Sequence, residues 1–414
     1  MEIFNLIAIL LSLAAIFSYI NLCFIKLPTT IGIMLIAILT SMMIVILGFL
    51  GLGEIHEKAT YALNRIDFNK TLMNGMLSFL LFAGALHINL NDMAKHKYII
   101  CVLATFGIIA NTFIVGSLAW LVFSLINIKL SYIYCLLFGS LIAPTDPIAV
   151  VGILKRAGVP KSLETKITGE SLFNDGVAVV VFLILMGIVT GGHEVTFQHI
   201  SLLFIEEAVG GIIFGFVTGM IAFWMLKAID NYQVEILVTL ALVMGGYALA
   251  NMLHLSGPIA VVIAGFLIGN KGRLLAMSEK TREHLDSFWE LVDEVLNAVL
   301  FLMIGMEVLV VTIKASYFIA GLIMIPIVLL ARFISVGVPI TLMRPIKEFS
   351  PDAVKILTWG GLRGGISVAL ALSLPGGKER EVLLAITYII VVFSILVQGL
   401  TIGRYVTSLN LKVS

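Results

Sequence analysis

Between Gly169 and Val181 the chain reads Gly-Glu-Ser-Leu-Phe-Asn-Asp-Gly-Val-Ala-Val-Val-Val, an apolar run that carries Glu170, Ser171, Asn174 and Asp175. On a helix Glu170 and Asn174 are four residues apart, as are Ser171 and Asp175, so all four line one face. A carboxylate in hydrocarbon costs about 2.5–3.5 kcal/mol on insertion scales, so it ordinarily faces a cavity or a partner. Carboxylate, hydroxyl and carbonyl oxygens are the groups that hard cations prefer.

Two other stretches carry charge in apolar surroundings. Residues 140–150 read Ser-Leu-Ile-Ala-Pro-Thr-Asp-Pro-Ile-Ala-Val. Pro144 and Pro147 each remove a backbone donor and clash with the preceding turn, so about one helical turn should unwind there. Irregular backbone at that depth is tolerated only against protein or a wet cavity. Asp146, between the prolines, could compensate the positive end of a half-helix or bind a cation. Residues 359–367 read Trp-Gly-Gly-Leu-Arg-Gly-Gly-Ile-Ser. Four glycines around Arg363 predict a second break, with a charge suited to the negative end of a half-helix. Arg332 lies deep in another apolar run, too far from its end for simple snorkelling. A buried carboxylate is the expected partner, with Glu170 favoured.

These residues need a scaffold, and composition names its class. Of 414 residues, 60% are hydrophobic and 12% charged, with a mean hydropathy of +1.10. Soluble domains average about 25% charged residues, so the chain reads as a polytopic membrane protein. Apolar runs predict thirteen spanning helices, roughly 3–25, 28–50, 72–90, 98–127, 131–154, 166–190, 201–227, 233–253, 256–270, 287–311, 316–343, 353–374 and 380–406. The first lacks a basic n-region and reads as a retained helix, not a signal peptide. No polar stretch is long enough for a soluble domain, and none is expected after the last helix.

The two predicted breaks fall in the fifth and twelfth segments, which cross in opposite directions. That is the pattern of an inverted-repeat transporter, with segments four to six matching eleven to thirteen. Of the 26 Lys and Arg residues, Arg332 and Arg363 lie inside segments; seventeen fall on the odd-numbered loops and C-terminal tail, seven on the even-numbered loops and N-terminus. This asymmetry puts the N-terminus outside and the C-terminus in the cytoplasm of a plasma-membrane protein.

Other features carry less. Cys23, Cys101 and Cys135 all fall in apolar runs, and an odd, buried set argues against a disulfide framework or metal cluster. The glycines at 211, 215 and 219 and at 265 and 269 suit close helix packing, and Pro258 suits helix initiation. Asp293, Glu294 and Asn297 could line a vestibule or form a solvated helix end. Glu206 and Glu207 read as interfacial, His87 as a loop-end histidine. Walker and His-Glu-x-x-His motifs are absent, so neither ATP drive nor hydrolytic chemistry is expected, and no enzyme activity. The net charge of +1 gives no sign of a nucleic-acid partner.

Taken together, Gly-Glu-Ser-Leu-Phe-Asn-Asp-Gly, Ala-Pro-Thr-Asp-Pro, Ala331-Arg332, Gly-Gly-Leu-Arg-Gly, Phe-Ala-Gly-Ala-Leu-His (82–87) and Phe-Leu-Met-Ile-Gly-Met-Glu (301–307) resemble the cation–proton antiporter-1 family, the NhaP-type sodium/proton antiporters related to sodium/proton exchangers. The resemblance spans nearly the whole chain. It implies an all-α fold of thirteen helices in a homodimer: residues 1–97 (helices 1–3) and 233–315 (helices 8–10) on the dimer side, 98–190 (helices 4–6) and 316–414 (helices 11–13 with a short tail) as a moving core, and 191–232 (helix 7) as linker. It implies an ion site of Asp175, Asp146, Ser171 and the Thr145 carbonyl, holding Na+ or Li+ as transported substrate, with no cofactor. Asn174 would hold the unwound helices, Glu170 would pair with Arg332, and Arg363 matches a family arginine. Asn174 before Asp175 resembles the electroneutral branch. The expected function is exchange of a monovalent cation for H+ at one carboxylate site, by alternating access. A K+/H+ exchanger, a cation channel and an organic-solute transporter are the alternatives.

Overall fold

The computed structural model describes residues 3–50, 68–146, 148–156, 159–191, 197–312, 314–345, 349 and 352–409, with residues 54, 57, 60, 61 and 63. The described residues are almost wholly helical. Nine helices among them are long and apolar enough to cross a membrane, by length and composition. In chain order the passes are α1 (Phe4–Ile25), α2 (Thr29–Phe49), α3 (Leu77–Leu86, entered through Phe68–Lys70 and a π turn at Thr71–Met76) and α4 (Lys97–Leu125). The fifth is split into α5a (Tyr132–Ile142) and α5b (Ile148–Arg156). Then come α6 (Lys161–Val189), α7 (Phe197–Lys227), α8 (Tyr232–Met252), α9 (Gly257–Leu275), α10 (Glu279–Met306) and α11 (Ala315–Met343). The twelfth is split into α12a (Ala353–Trp359) and α12b (Gly365–Leu372), and α13 (Lys378–Ser408) ends the fold.

Thirteen passes thus match the thirteen apolar runs, and both predicted breaks are present. Pro144 ends α5a because it cannot donate to the helix ladder; Pro147 lies outside the described residues. Glycine ends α12a, where Gly360 closes the last turn on the Ile356 carbonyl at 2.7 Å.

Packing sorts the helices into two groups. In one, α4 lies along α5a, α6 and α11, α11 lies along α13, and α12b touches α13 and α5a. In the other, α2 lies along α10, and α9 along α3, α7 and α8. Small residues permit the closest approaches. Where a Cβ on Gly139 would stand, the Thr112 carbonyl of α4 already stands; Gly215 of α7 is likewise occupied by Ala260 of α9. Large apolar side chains such as Phe4, Trp224 and Leu237 point outward, as spanning helices require.

Several sequence expectations need correction. The tenth helix begins at Glu279, not near 287, so part of the expected 271–286 loop is helical. Ser278 caps it by accepting from the Thr281 N–H at 3.4 Å, and Leu285 and Trp289 bury its inner face. Asp293 and Asn297 therefore lie within a helix and not near its start. Helix α7 begins at Phe197, which moves Glu206 and Glu207 into its body. The third run is followed by a separate short helix, Leu90–Lys95, capped by the Asn89 side chain. Among the cysteines, Cys135 alone is buried; Cys23 and Cys101 are exposed on the helix surface. Of the loop cations that set orientation, Lys58, Arg65, Lys347 and Lys412 lie outside the described residues.

Candidate functional site

The two broken segments cross each other, and their unwound residues pair directly. The Asp146 N–H donates to the Leu362 carbonyl at 2.7 Å. Arg363 donates through Nη1 to the Ala143 carbonyl and, at 3.0 Å, to the Pro144 carbonyl. Those carbonyls end α5a, where the helix dipole is negative, so the guanidinium compensates both unsatisfied acceptors and the dipole. The Arg363 N–H is held at 2.9 Å by Ser394 Oγ, and Gln398 braces Ser394. Asp146 sits at the other polarity. Its carboxylate lies against Gly364, at the start of α12b, and leaves no room there for a Cβ.

Helix α6 presents its polar face to this crossing. Asn174 donates through Nδ2 to Thr145 Oγ1 at 2.8 Å and accepts from the Thr145 N–H at 3.4 Å, so one side chain fixes both sides of Thr145. Ser171 Oγ donates to the Thr145 carbonyl and lies 3.2 Å from Thr145 Oγ1. A hydroxyl has one proton, so with Ser171 spent on the carbonyl, the Thr145 hydroxyl donates to Ser171. Glu170 faces the other way. It receives Arg332 of α11 in a two-pronged ion pair, at 2.5 and 2.9 Å, with side chains only 1% and 4% exposed. Gly361 lies against the pair; a Cβ there would come within 2.9 Å of Arg332 Nε.

Asp175, one turn beyond Ser171, is different. It is 5% exposed, and its Oδ1 is buried without a hydrogen-bond partner. It lines the inner end of a cavity of about 770 Å³, together with Asp146 and Thr145. Ser171 does not line that cavity; it stands behind Thr145. Asp175, Asp146 and Thr145 therefore line open volume, while Ser171 and the Thr145 carbonyl are held to each other by a hydrogen bond. The donor set is two carboxylates with neutral oxygens, which suits a hard monovalent cation. No group of three or more His, Cys, Asp or Glu able to hold a metal occurs among the described residues.

The cavity opens at the end of the molecule carrying Asp92, Lys161 and Glu290. Outside the spans, the hydrogen bond from Lys161 and then that from Lys95 hold the Asp92 carboxyl below the usual carboxylate range, so the rim keeps its charge. One group in the cavity wall has no counterpart in the sequence reading, and a vestibule pair does. Ser367 of α12b is 1% exposed, with an unpartnered hydroxyl. Asp293 of α10 also lines the wall. A serine in an apolar run gives no signal, whereas the acids Asp293 and Glu294 do, and of the two readings open to them the vestibule is the one that fits.

Residues 9–408 match the family described as "Sodium/hydrogen exchanger, transmembrane". The chain belongs to the sodium/hydrogen exchanger family. Among its relatives in this family, the Na(+)/H(+) antiporter NhaP of Pseudomonas aeruginosa is 49% identical, covering 97% of this chain and 96% of that one. The Na(+)/H(+) antiporter NhaH of Halobacillus aidingensis is 33% identical over 93% of each. The solved structure of the sodium proton antiporter MjNhaP1 from Methanocaldococcus jannaschii superposes with a TM-score of 0.75, covering 96% of this chain and 100% of that one. At 20% identity that likeness shows a shared exchanger-family fold.

Proposed function

We propose that the protein exchanges Na+ or Li+ for H+, one for one and without net charge, with both ions competing for Asp175. The observation that carries this reading is the Asp175 carboxylate: buried, unpartnered at Oδ1, and on the wall of the cavity. An oxygen so placed is strongly driven to take either a proton or a cation. Asp146, the Thr145 carbonyl and Ser171 complete the shell once Ser171 turns from Thr145. Asn174 holds the shell in place, and Arg363 and the Glu170–Arg332 pair hold the crossing. The names of the relatives above point to the same ions.

In this reading α4–α6 and α11–α13 carry the site as a moving unit, and α1–α3 with α8–α10 stand still on the dimer side of a homodimer, joined by α7. The packing groups support that division. The cavity end is the cytoplasmic end, by the excess of Lys and Arg on its loops. The protein spans the plasma membrane with its N-terminus outside and its C-terminus inside.

Proteoliposomes loaded with a pH-sensitive dye test the reading. Adding Na+ or Li+ should move protons, and Asp175→Asn should abolish this while leaving a folded protein. Proton movement driven by K+ alone would make it a K+/H+ exchanger. Cation current without proton counterflow would make it a channel. Substantial exchange by Asp175→Asn would remove Asp175 from the site.

A further inference from the structure

The exchange reading leaves the long wall of the cavity without a role. The wall opposite Asp146 and Asp175 is α10, whose middle carries Asp293 and, one turn further in, Asn297. Asp293 lines the cavity and lies within electrostatic reach of Asp146 and of Glu290 and Glu294 on its own helix. Asn297 is its hydrogen-bond partner. It is 3% exposed, and its Oδ1 has no partner. One turn further in again, Leu300 packs on Gly365 at the start of α12b, so this strip of α10 leads to the broken-helix crossing. Asn297 stands behind Asp293 and does not itself line the cavity; the buried, unpartnered oxygen that does line it is the Ser367 hydroxyl.

A solvated helix end does not describe these residues. Asp293 is in the body of a 28-residue helix, and a buried amide oxygen without a partner is costly in the absence of a ligand. A single carboxylate on the cavity, held by the Asn297 amide and sharing the cavity lining with the Ser367 hydroxyl, is a weaker cation site than the two-carboxylate site beyond it. Passages conduct ions well when successive stations bind firmly enough to attract and weakly enough to release. A cleft lined by one sign of charge also raises the local concentration of counter-ions.

We infer that Asp293, held in place by Asn297, forms a separate cation station on α10, which receives a hydrated monovalent cation from the cavity mouth and passes it to Asp146 and Asp175. The inference rests on the exchange reading. It adds a sidedness that the exchange reading alone lacks. Asp293 is on α10, while Asp146 and Asp175 are on α5 and α6, in the other packing group. When the groups shift to open the opposite end, the ion site leaves Asp293 behind. The station therefore serves cations arriving at the face of Asp92 and Glu290, and not those arriving at the other.

The test uses the full-length protein in proteoliposomes of one orientation, with Na+ added to one face at a time. Asp293→Asn should raise the KM for Na+ at the Asp92 face by about tenfold, the size expected for losing one nearby charge. At the opposite face KM should stay within about twofold, and so should Vmax at both. Asp293→Glu should recover most of the affinity, and Asn297→Ala should reproduce a smaller one-sided rise. An equal KM change at both faces, a change in Vmax alone, or no change would overturn the station. If the unsubstituted protein exchanges and Asp175→Asn does not, such a result leaves the exchange reading standing. No exchange by the unsubstituted protein would overturn both.

Discussion

Asp175 and Glu170 are five residues apart on one helix, and their surroundings give them opposite tasks. Glu170 is saturated by Arg332, whereas Asp175 keeps an open oxygen on a cavity. If proton and cation compete there, the apparent KM for Na+ should rise as pH falls, approaching about tenfold per unit once the proton form dominates. Initial rates at several pH values check this, and a pH-independent KM would break the competition scheme. Ser171→Ala removes a neutral ligand but no charge, so it should raise KM about tenfold; it also strands the buried Thr145 carbonyl, so the thermal midpoint should fall modestly. The acids were legible in the sequence because a carboxylate in an apolar run is expensive and demands a reason. Ser367 was not, and neither was the unpartnered state of the Asn297 oxygen, because an orphaned oxygen is defined by what fails to surround it, and that needs coordinates.

At the scale of elements, the crossing depends on Arg363 and on the Glu170–Arg332 pair. Removing one member of a buried pair typically costs about 3–5 kcal/mol, since its partner stays behind as an uncompensated charge. Glu170→Gln and Arg332→Ala should each lower the thermal midpoint in detergent clearly, and the double variant should lose less than the two losses added. Arg363→Ala strands the Ala143 and Pro144 carbonyls; it should also destabilise, with partial recovery in Arg363→Lys, which keeps the charge but loses the fork. Scanning calorimetry or dye-monitored unfolding would read all of these. Both breaks were legible because proline and clustered glycine act on the backbone locally. The start of α10 was not: Glu279, Lys280, Arg282, Glu283 and Asp286 make its first turns too polar for a hydropathy pass. The burial of Leu285 and Trp289 that stabilises those turns depends on neighbouring helices.

Across the whole molecule the two ends differ. One is open along the cavity. At the other, Tyr388 of α13 donates to the Ile304 carbonyl of α10 at 3.0 Å, and Asn69 donates to the Ala369 carbonyl at 2.7 Å. If opening there parts α10 from α13, Ile304→Cys and Tyr388→Cys, with the native cysteines replaced and the pair joined through disulfides by a short bis-methanethiosulfonate, should stop proton flux until reductant is added. Undiminished flux in the joined protein would exclude that motion. A last consequence follows from Arg363. Of the charges at the crossing, Glu170 pairs with Arg332, and the formal charges of Arg363, Asp146 and Asp175 sum to one negative. On the exchange reading, either ion brings that sum to zero, and the loaded crossing feels no net force from the membrane voltage. Empty, it carries one negative charge, and each 100 mV changes the work of a full crossing by about 2.3 kcal/mol. Voltage would then bear on slippage of the empty carrier and leave productive turnover to the two concentration gradients.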